Sequence, residues 1–191
     1  MDYDHRTAAG KPLNRPRILA ALKRLAELLR DRDERGEICL FGGTVMVLVF
    51  QARPSTKDVD AIFEPTGAIR QLAEIVRSEQ NLPQDWLNDG VKGFTSHQGK
   101  LTTEDVPQFQ NLRILAPTAE YLLAMKCMAS RIADSSGADD RGDIKFLLDH
   151  LKITTVDDAI AIVSRYYPSA RVLPKTQFLL EELLEDEHGA P

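Results

Sequence analysis

Apolar residues recur along this chain with two different periods, and the switches between them lay out its elements. From Pro16 onward, Ile18, Leu19, Leu22, Leu25, Leu28 and Leu29 return every three or four positions, which predicts an amphipathic helix of about five turns ending near Gly36. Cys39-Leu40-Phe41 is a short unbroken apolar run stopped by Gly42-Gly43. That is the pattern of a buried strand broken at a tight turn, where the backbone can come close to a neighbour. Residues 44–50 are rich in valine and read as strand on propensity alone. A polar loop over residues 51–57, with Pro54 in it, leads to a second strand over residues 58–63. Residues 66–80 read as a helix, with Ile69, Leu72, Ala73 and Val76 as its apolar stripe.

The middle of the chain is broken up by Pro83, Gly90, Gly93, Gly99 and Pro107. Trp86 and Phe94 are expected to act as local anchors there, and short strands are expected over residues 93–95 and 110–115. After Pro117 four helical patterns follow, over residues 118–133, 140–151, 156–166 and 175 to about 186. Thr155 with Asp158 three positions on has the spacing of a helix-capping start. The fold class is therefore α/β in its α+β form: a small mixed sheet flanked by helices, then a helical C-terminal part. Residues 1–14 show no periodicity and are expected to be a flexible arm. Residues 15–116 form the core, and residues 117–191 the helical part packed on it.

Composition narrows the picture. At 191 residues and 43% hydrophobic, the chain suits one compact domain, or a core with a helical appendage. It holds no 18-residue apolar run, and the opening MDYDHRTAAGKPL has no secretory-type apolar segment, so no membrane partner and a cytoplasmic location are expected. Cys39 and Cys127 stand alone, and His5, His97, His150 and His188 form no ligand spacing. The cysteines read as buried hydrophobes, and none of the histidines is a candidate metal ligand. A net charge of −5 argues against a generally basic, nucleic-acid-coating surface. Arg15, Arg17, Lys23, Arg24, Arg30, Arg32 and Arg35 nevertheless crowd the first helix, and Glu181, Glu182, Glu185, Asp186 and Glu187 crowd the end. Solvated helix faces account for both runs; an RNA-contacting face is the competing reading of the first.

Three features carry candidate chemistry. Asp58 and Asp60 are two apart on a predicted strand, so both carboxylates point to one face with Cα atoms roughly 6–7 Å apart. Such a pair on an otherwise apolar strand is costly unless a cation lies between the two, and all-oxygen ligation suits Mg²⁺. On a helical wheel for residues 118–133, Leu122, Met125, Ala129 and Ala133 fall on one side and Glu120 and Arg131 on the other. Lys126 falls on the apolar side, where an ammonium must snorkel, pair with an acid or meet an anionic ligand. Asp139 or Asp140 suits the N-cap of the helix that follows, with Asp143 in its first turn.

The Gly42-Gly43-Thr44 turn, a spacer that puts Asp58 fifteen positions after Gly43, and Asp58-Val59-Asp60 together resemble the signature of the polymerase-β nucleotidyltransferase superfamily. The longer string GGTVMVLVFQARPSTKDVDAIF is similar to the small prokaryotic nucleotidyltransferases of the abortive-infection and toxin–antitoxin kind. The resemblance implies a nucleotidyltransferase fold with a helix, not a strand, after the glycine turn, its N-terminus facing phosphate. It implies that Gly42, Gly43 and Thr44 hold a nucleoside triphosphate and that Asp58 and Asp60 bind Mg²⁺. AEYLLAMKCMASR resembles the family's LLAxK helix, which assigns Lys126 to the triphosphate and to charge in the transition state. Asp140 and Asp143 match a D-x-x-D-I element, an acid of which holds the lysine or assists the nucleophile, and Asp140 is the candidate. Arg53 and Ser55, beside the metal pair, are secondary nucleotide contacts.

One departure stands out: the strand over residues 110–115 carries Arg113 and no third carboxylate, for which Glu104 and Asp105 upstream are the substitutes. The function implied is Mg²⁺-dependent transfer of a nucleoside monophosphate from NTP to a hydroxyl on RNA, such as a tRNA 3′ end, or on protein. An antitoxin partner would control such a toxin. Two other readings stay open: transfer to a small antibiotic-type molecule, and a non-catalytic binding module that keeps the fold.

Overall fold

The computed structural model describes residues 11–130 and 137–188. Leu13–Asn14 form a short strand, β1, that runs directly into helix α1 (Arg15–Asp31). The Asn14 side chain accepts from the Arg17 amide, and Pro16 sits in the first turn, so the start is capped. The helix buries Ile18, Ala21, Leu22, Leu25, Ala26 and Leu29. It stops at Asp31, short of Gly36, which opens strand β2 (Gly36–Leu40). Helix α2 (Gly42–Leu48) follows at once, and the valine-rich run is therefore helical against its propensity. The six residues from Gly43 to Leu48 are all buried, which shows packing overriding local preference.

β3 (Ser55–Thr56) pairs antiparallel with β1, and β4 (Val59–Glu64) pairs antiparallel with β2. Helix α3 spans Thr66–Gln80 and ends in Asn81 at φ 50°, a left-handed cap. Then come β5 (Leu87–Asn88), a 3₁₀ turn over Gly90–Phe94, β6 (Leu101–Thr102) and β7 (Leu112–Pro117). The strand expected over residues 93–95 is thus a 3₁₀ turn, as suits a segment with Gly90 and Gly93 and no alternating side chains. Trp86 is an anchor, 1% exposed and donating Nε1 to the Ala73 carbonyl. Phe94 is 40% exposed and is not one. Helices α4 (Ala119–Ala129), α5 (Gly137–Leu151), α6 (Val156–Tyr166) and α7 (Pro174–His188) complete the described chain.

The main sheet is mixed, in the order β5-β4-β2-β7-β6, with β2 antiparallel to β4 and parallel to β7. Ile38, Leu40, Ala61, Phe63 and Ile114 share one face through their register. α1 and α3 cover that face: a Cβ at Gly36 would lie 3.0 Å from Leu29 and 3.1 Å from Ile69. The opposite face carries Cys39, Phe41, Asp60 and Ile62, and α4 and the 3₁₀ turn lie over it. Thr155 caps α6 as expected, accepting from the Asp158 amide. Both cysteines are free and buried, and burial pushes each thiol up to about 12, which leaves them as hydrophobes. Among the described residues no helix is long and apolar enough to cross a membrane.

Two expectations change in their boundaries. Residues 121–127 of α4 are all buried, so this helix is not two-faced but central, packed between the sheet, α5 and α6. Its expected continuation to residue 133 ends at Ala129, and Arg131 and Ala133 lie outside the described residues. The expected arm also divides: residues 1–10 lie outside the described residues, whereas Leu13 is 1% exposed and pairs with Thr56. Leu13→Ala is accordingly expected to lower stability by about 2–3 kcal/mol in urea denaturation, a loss that a loose arm would not give.

Candidate active site

The antiparallel pairing of β2 with β4 brings the glycine turn onto the acid strand. The Phe41 amide donates to the Asp60 carbonyl at 2.8 Å, and the next residue, Gly42, turns the chain at φ +57°. A Cβ at Gly42 would lie 2.7 Å from Asp60 Oδ2, and one at Gly43 would lie 2.6 Å from Thr56 Oγ1. Both positions need glycine because the backbone passes against neighbouring side-chain oxygens, and at Gly42 the dihedral adds to the need. Thr44 follows, fully buried, and its hydroxyl donates to the Asp58 carbonyl at 3.1 Å. That hydroxyl, expected on a triphosphate, here clasps α2 to the acid strand.

Asp58 and Asp60 lie on the same sheet face, both partly buried. Burial raises the pKa of each carboxyl above its ordinary value, and the charge on Asp58 raises Asp60 further. Asn88 opposes this rise in both, and its Nδ2 donates to Asp58 Oδ2 at 3.0 Å. The described residues hold no cluster of three or more His, Cys, Asp or Glu fit for a metal. Two neighbouring part-buried acids that resist ionisation nonetheless fit Mg²⁺, which takes oxygen ligands, keeps several waters and shares itself with substrate phosphates.

Across from the acids stands a charge-balanced cluster of two cations and two acids. Lys126, 8% exposed, pairs with Asp140 Oδ1 at 2.6 Å and with Asp143 Oδ2 at 2.7 Å. Asp143, 2% exposed, also takes Arg53 NH1 at 3.0 Å. The helix expected to be capped by Asp139 or Asp140 begins at Gly137. Asp140 is therefore its fourth residue, and one turn carries Asp140 and Asp143 toward the same lysine. Of the three fates open to Lys126, pairing with acid is the one observed.

Gly42, Asp60, Lys126 and Asp140 line one cleft of about 210 Å³, whose other wall is Gly90, Val91, Phe94, Leu122, Met125 and Ala129. Asp58, Gly43 and Arg53 adjoin these residues: Asp58 through the strand, and Arg53 NH1 at 3.1 Å from where a Gly43 Cβ would be. Ser55 does not reach the cleft lining; it sits on β3, paired with Asn14. Glu104 and Asp105 follow β6 at the far edge of the sheet, with β2 and β7 between them and β4, so they cannot supply the missing acid.

Four residues were not expected at a site: Asn88, Val91, and Leu122 and Met125, which the helical wheel placed beside Lys126 only as an apolar face. Asn88-Asp89-Gly90 is a turn sequence, and Asn88 Oδ1 does accept from the Gly90 amide at 3.0 Å. That signal marked a turn, not a site. The wall had no signal, since apolar residues in a helix and a loop look like any core.

Comparison with known proteins gives one match. The model of a family described as "Nucleotidyltransferase of unknown function (DUF6036)" matches residues 17–145, a stretch that contains every side chain of the cleft. No curated protein and no solved structure gives a match.

Two outcomes are expected without metal or nucleotide. Asp58 and Asp60 have raised folded-state pKa values, so their favourable contribution is complete below the unfolded value and is lost as pH rises through the folded one. At neutral pH Asp60→Asn should therefore melt about 2–4 °C higher than wild type, with the gap closing as the pH approaches 4. Asp143→Ala leaves two neighbouring cations short of a buried partner. It should cost about 3 kcal/mol in urea denaturation.

Proposed function

The chain belongs to the DUF6036 family of nucleotidyltransferases, and from that premise we propose that it is a Mg²⁺-dependent nucleotidyltransferase of the polymerase-β type. The single observation that carries the reading is the opposition, across one cleft, of the Asp58–Asp60 pair and Lys126. Mg²⁺ held by Asp58 and Asp60 would neutralise the phosphates and draw charge from the α-phosphoryl group. The amides of the Gly42–Gly43 turn would bind triphosphate oxygens, with Thr44 holding the turn to the acid strand from behind. Lys126 would exchange Asp140 for a phosphate oxygen while Asp143 keeps its hold, so the ammonium stays paired throughout. Arg53, through Asp143, would fix the lysine's position. Asp140, so released, would take the proton as an acceptor hydroxyl attacks the α-phosphorus in line; the new P–O bond forms, the bond to the β-phosphate bridge breaks, and pyrophosphate leaves.

The acceptor is open between RNA or protein, as in the toxin kind the sequence resembles, and a small hydroxylated molecule. The basic residues of α1 lie on the sheet face opposite Asp60, and Arg24 is already paired with Glu79 and Glu27. That run offers a polyanion no track into the cleft.

The test is transfer from labelled NTPs to total RNA, total protein and a panel of small alcohols and aminoglycosides. Wild type should label one of these, and Asp58→Ala/Asp60→Ala should reduce transfer at least about 1,000-fold. Unchanged transfer in the double variant overturns the site, and absence of Mg²⁺–NTP binding in calorimetry at millimolar nucleotide would leave a binding module instead. Growth arrest on expression, relieved by the same double substitution and by an adjacently encoded partner, is the expected mark of a toxin.

A further inference from the structure

The third side chain beside the two acids comes from a strand that the sequence did not single out, and it is an amide. Asn88 closes β5 and is paired in parallel register with Asp60, so the sheet fixes its backbone. Its Oδ1 accepts from the Gly90 amide at 3.0 Å, which settles which end of the amide is nitrogen, and its Nδ2 donates to Asp58 Oδ2 at 3.0 Å. The opposite neighbour of β4 supplies nothing comparable: β2 reaches this level with Phe41 and Gly42, and β7, LRILAP, has no acid. That contact is a hydrogen bond, so the Asn88 amide nitrogen holds the Asp58 carboxylate in place and is not itself a metal ligand.

We propose that Asn88 stands beside the metal face, where a third carboxylate would otherwise fit, as an uncharged positioning residue that holds Asp58 Oδ2. A carboxylate there would make a three-acid set. With an amide, the face carries two negative charges and is suited to one divalent ion arriving with a nucleotide. The inference rests on the nucleotidyltransferase reading of the cleft. It goes beyond that reading in saying which group replaces the absent third acid, and on which strand.

The test is Mn²⁺ binding to the full chain, followed by electron paramagnetic resonance with and without a non-hydrolysable NTP analogue. No turnover is involved. Asn88→Ala removes the donor, and Mn²⁺ affinity should fall about tenfold. Asn88→Asp keeps an acceptor for Gly90 and adds a third carboxylate, and affinity should rise about tenfold above wild type, most visibly without nucleotide. A residue that merely shapes the turn would not gain affinity in the second variant. Near-UV circular dichroism checks the fold of each, and Asn88→Ala decides alone if Asn88→Asp does not fold. Affinity of Asn88→Ala within twofold of wild type, or a folded Asn88→Asp no tighter than wild type, overturns the assignment of Asn88 and leaves the cleft reading intact. Wild type that binds no Mn²⁺ even with the analogue overturns the cleft reading, and this inference with it.

Discussion

A lysine buried in the middle of a central helix must be neutralised where it stands, and the rest of this molecule is arranged to do so. Lys126 is held at 2.6 and 2.7 Å by Asp140 and Asp143, and Asp143 in turn takes Arg53 at 3.0 Å. Those four side chains come from three places: the loop before the acid strand, α4, and the first two turns of α5. Breaking a pair of this kind by deleting one partner costs about 3–5 kcal/mol, because the other charge is left without compensation. The cluster thus ties the C-terminal helices to the sheet with interactions that hydrophobic contact alone would not make specific. It also fixes the helix α4 and its lysine at the edge of a cleft.

The opposite edge of that cleft is built by a different constraint, the register of β2 against β4. Antiparallel pairing delivers the glycine turn to Asp60 so closely that no side chain fits at Gly42, and Thr56 closes the space at Gly43. The two edges differ electrically: one holds two acids that no cation pairs among the described residues, the other cations already balanced by acids. Asp58 and Asp60 are partly buried, resist ionisation and would gain from a cation; Lys126 already holds two acids and would accept a phosphate in place of one. Between them the wall of Val91, Phe94, Leu122, Met125 and Ala129 is apolar, which strengthens each electrostatic contact by excluding water. The segment carrying Phe94 is kept in place by Tyr167, which donates to the Phe94 carbonyl, and by the Ser96 amide donating to Tyr121 Oη at 2.8 Å. The C-terminal helices therefore support the wall as well as the cation.

Much of this was legible in the residue pattern. α1, α3, α6 and the two long strands stood out by pattern, and the Gly42 turn, Asp58, Asp60 and Lys126 by type and spacing; a site role for Asp140 came only from the family resemblance, since its spacing alone marked a helix N-cap. Side-chain direction was not legible. Thr44 was assigned to the ligand by the family resemblance; the direction it faces depends on how deeply α2 packs. Ser55 was expected nearby because it is close in sequence, yet β3 turns it toward β1. Asn88, Val91 and Phe94 lie in a stretch punctuated by glycine, where neither period exists to read.

Which residues can carry charge chemistry, and which segments repeat with helical or strand period, follow from side-chain type and spacing, and both are local properties. Packing in three dimensions makes α2 a helix despite the propensity of its valines, pairs Lys126 with acids where it could have snorkelled, and sets Asn88 of β5 beside the two acids. Each of these depends on what lies across from a residue in space. The pairing of β4 with β5 joins positions 60 and 88, and the packing of α5 on α4 joins 126 with 140 and 143. No one-dimensional period can encode contacts between chain segments that separate in sequence and meet only on folding.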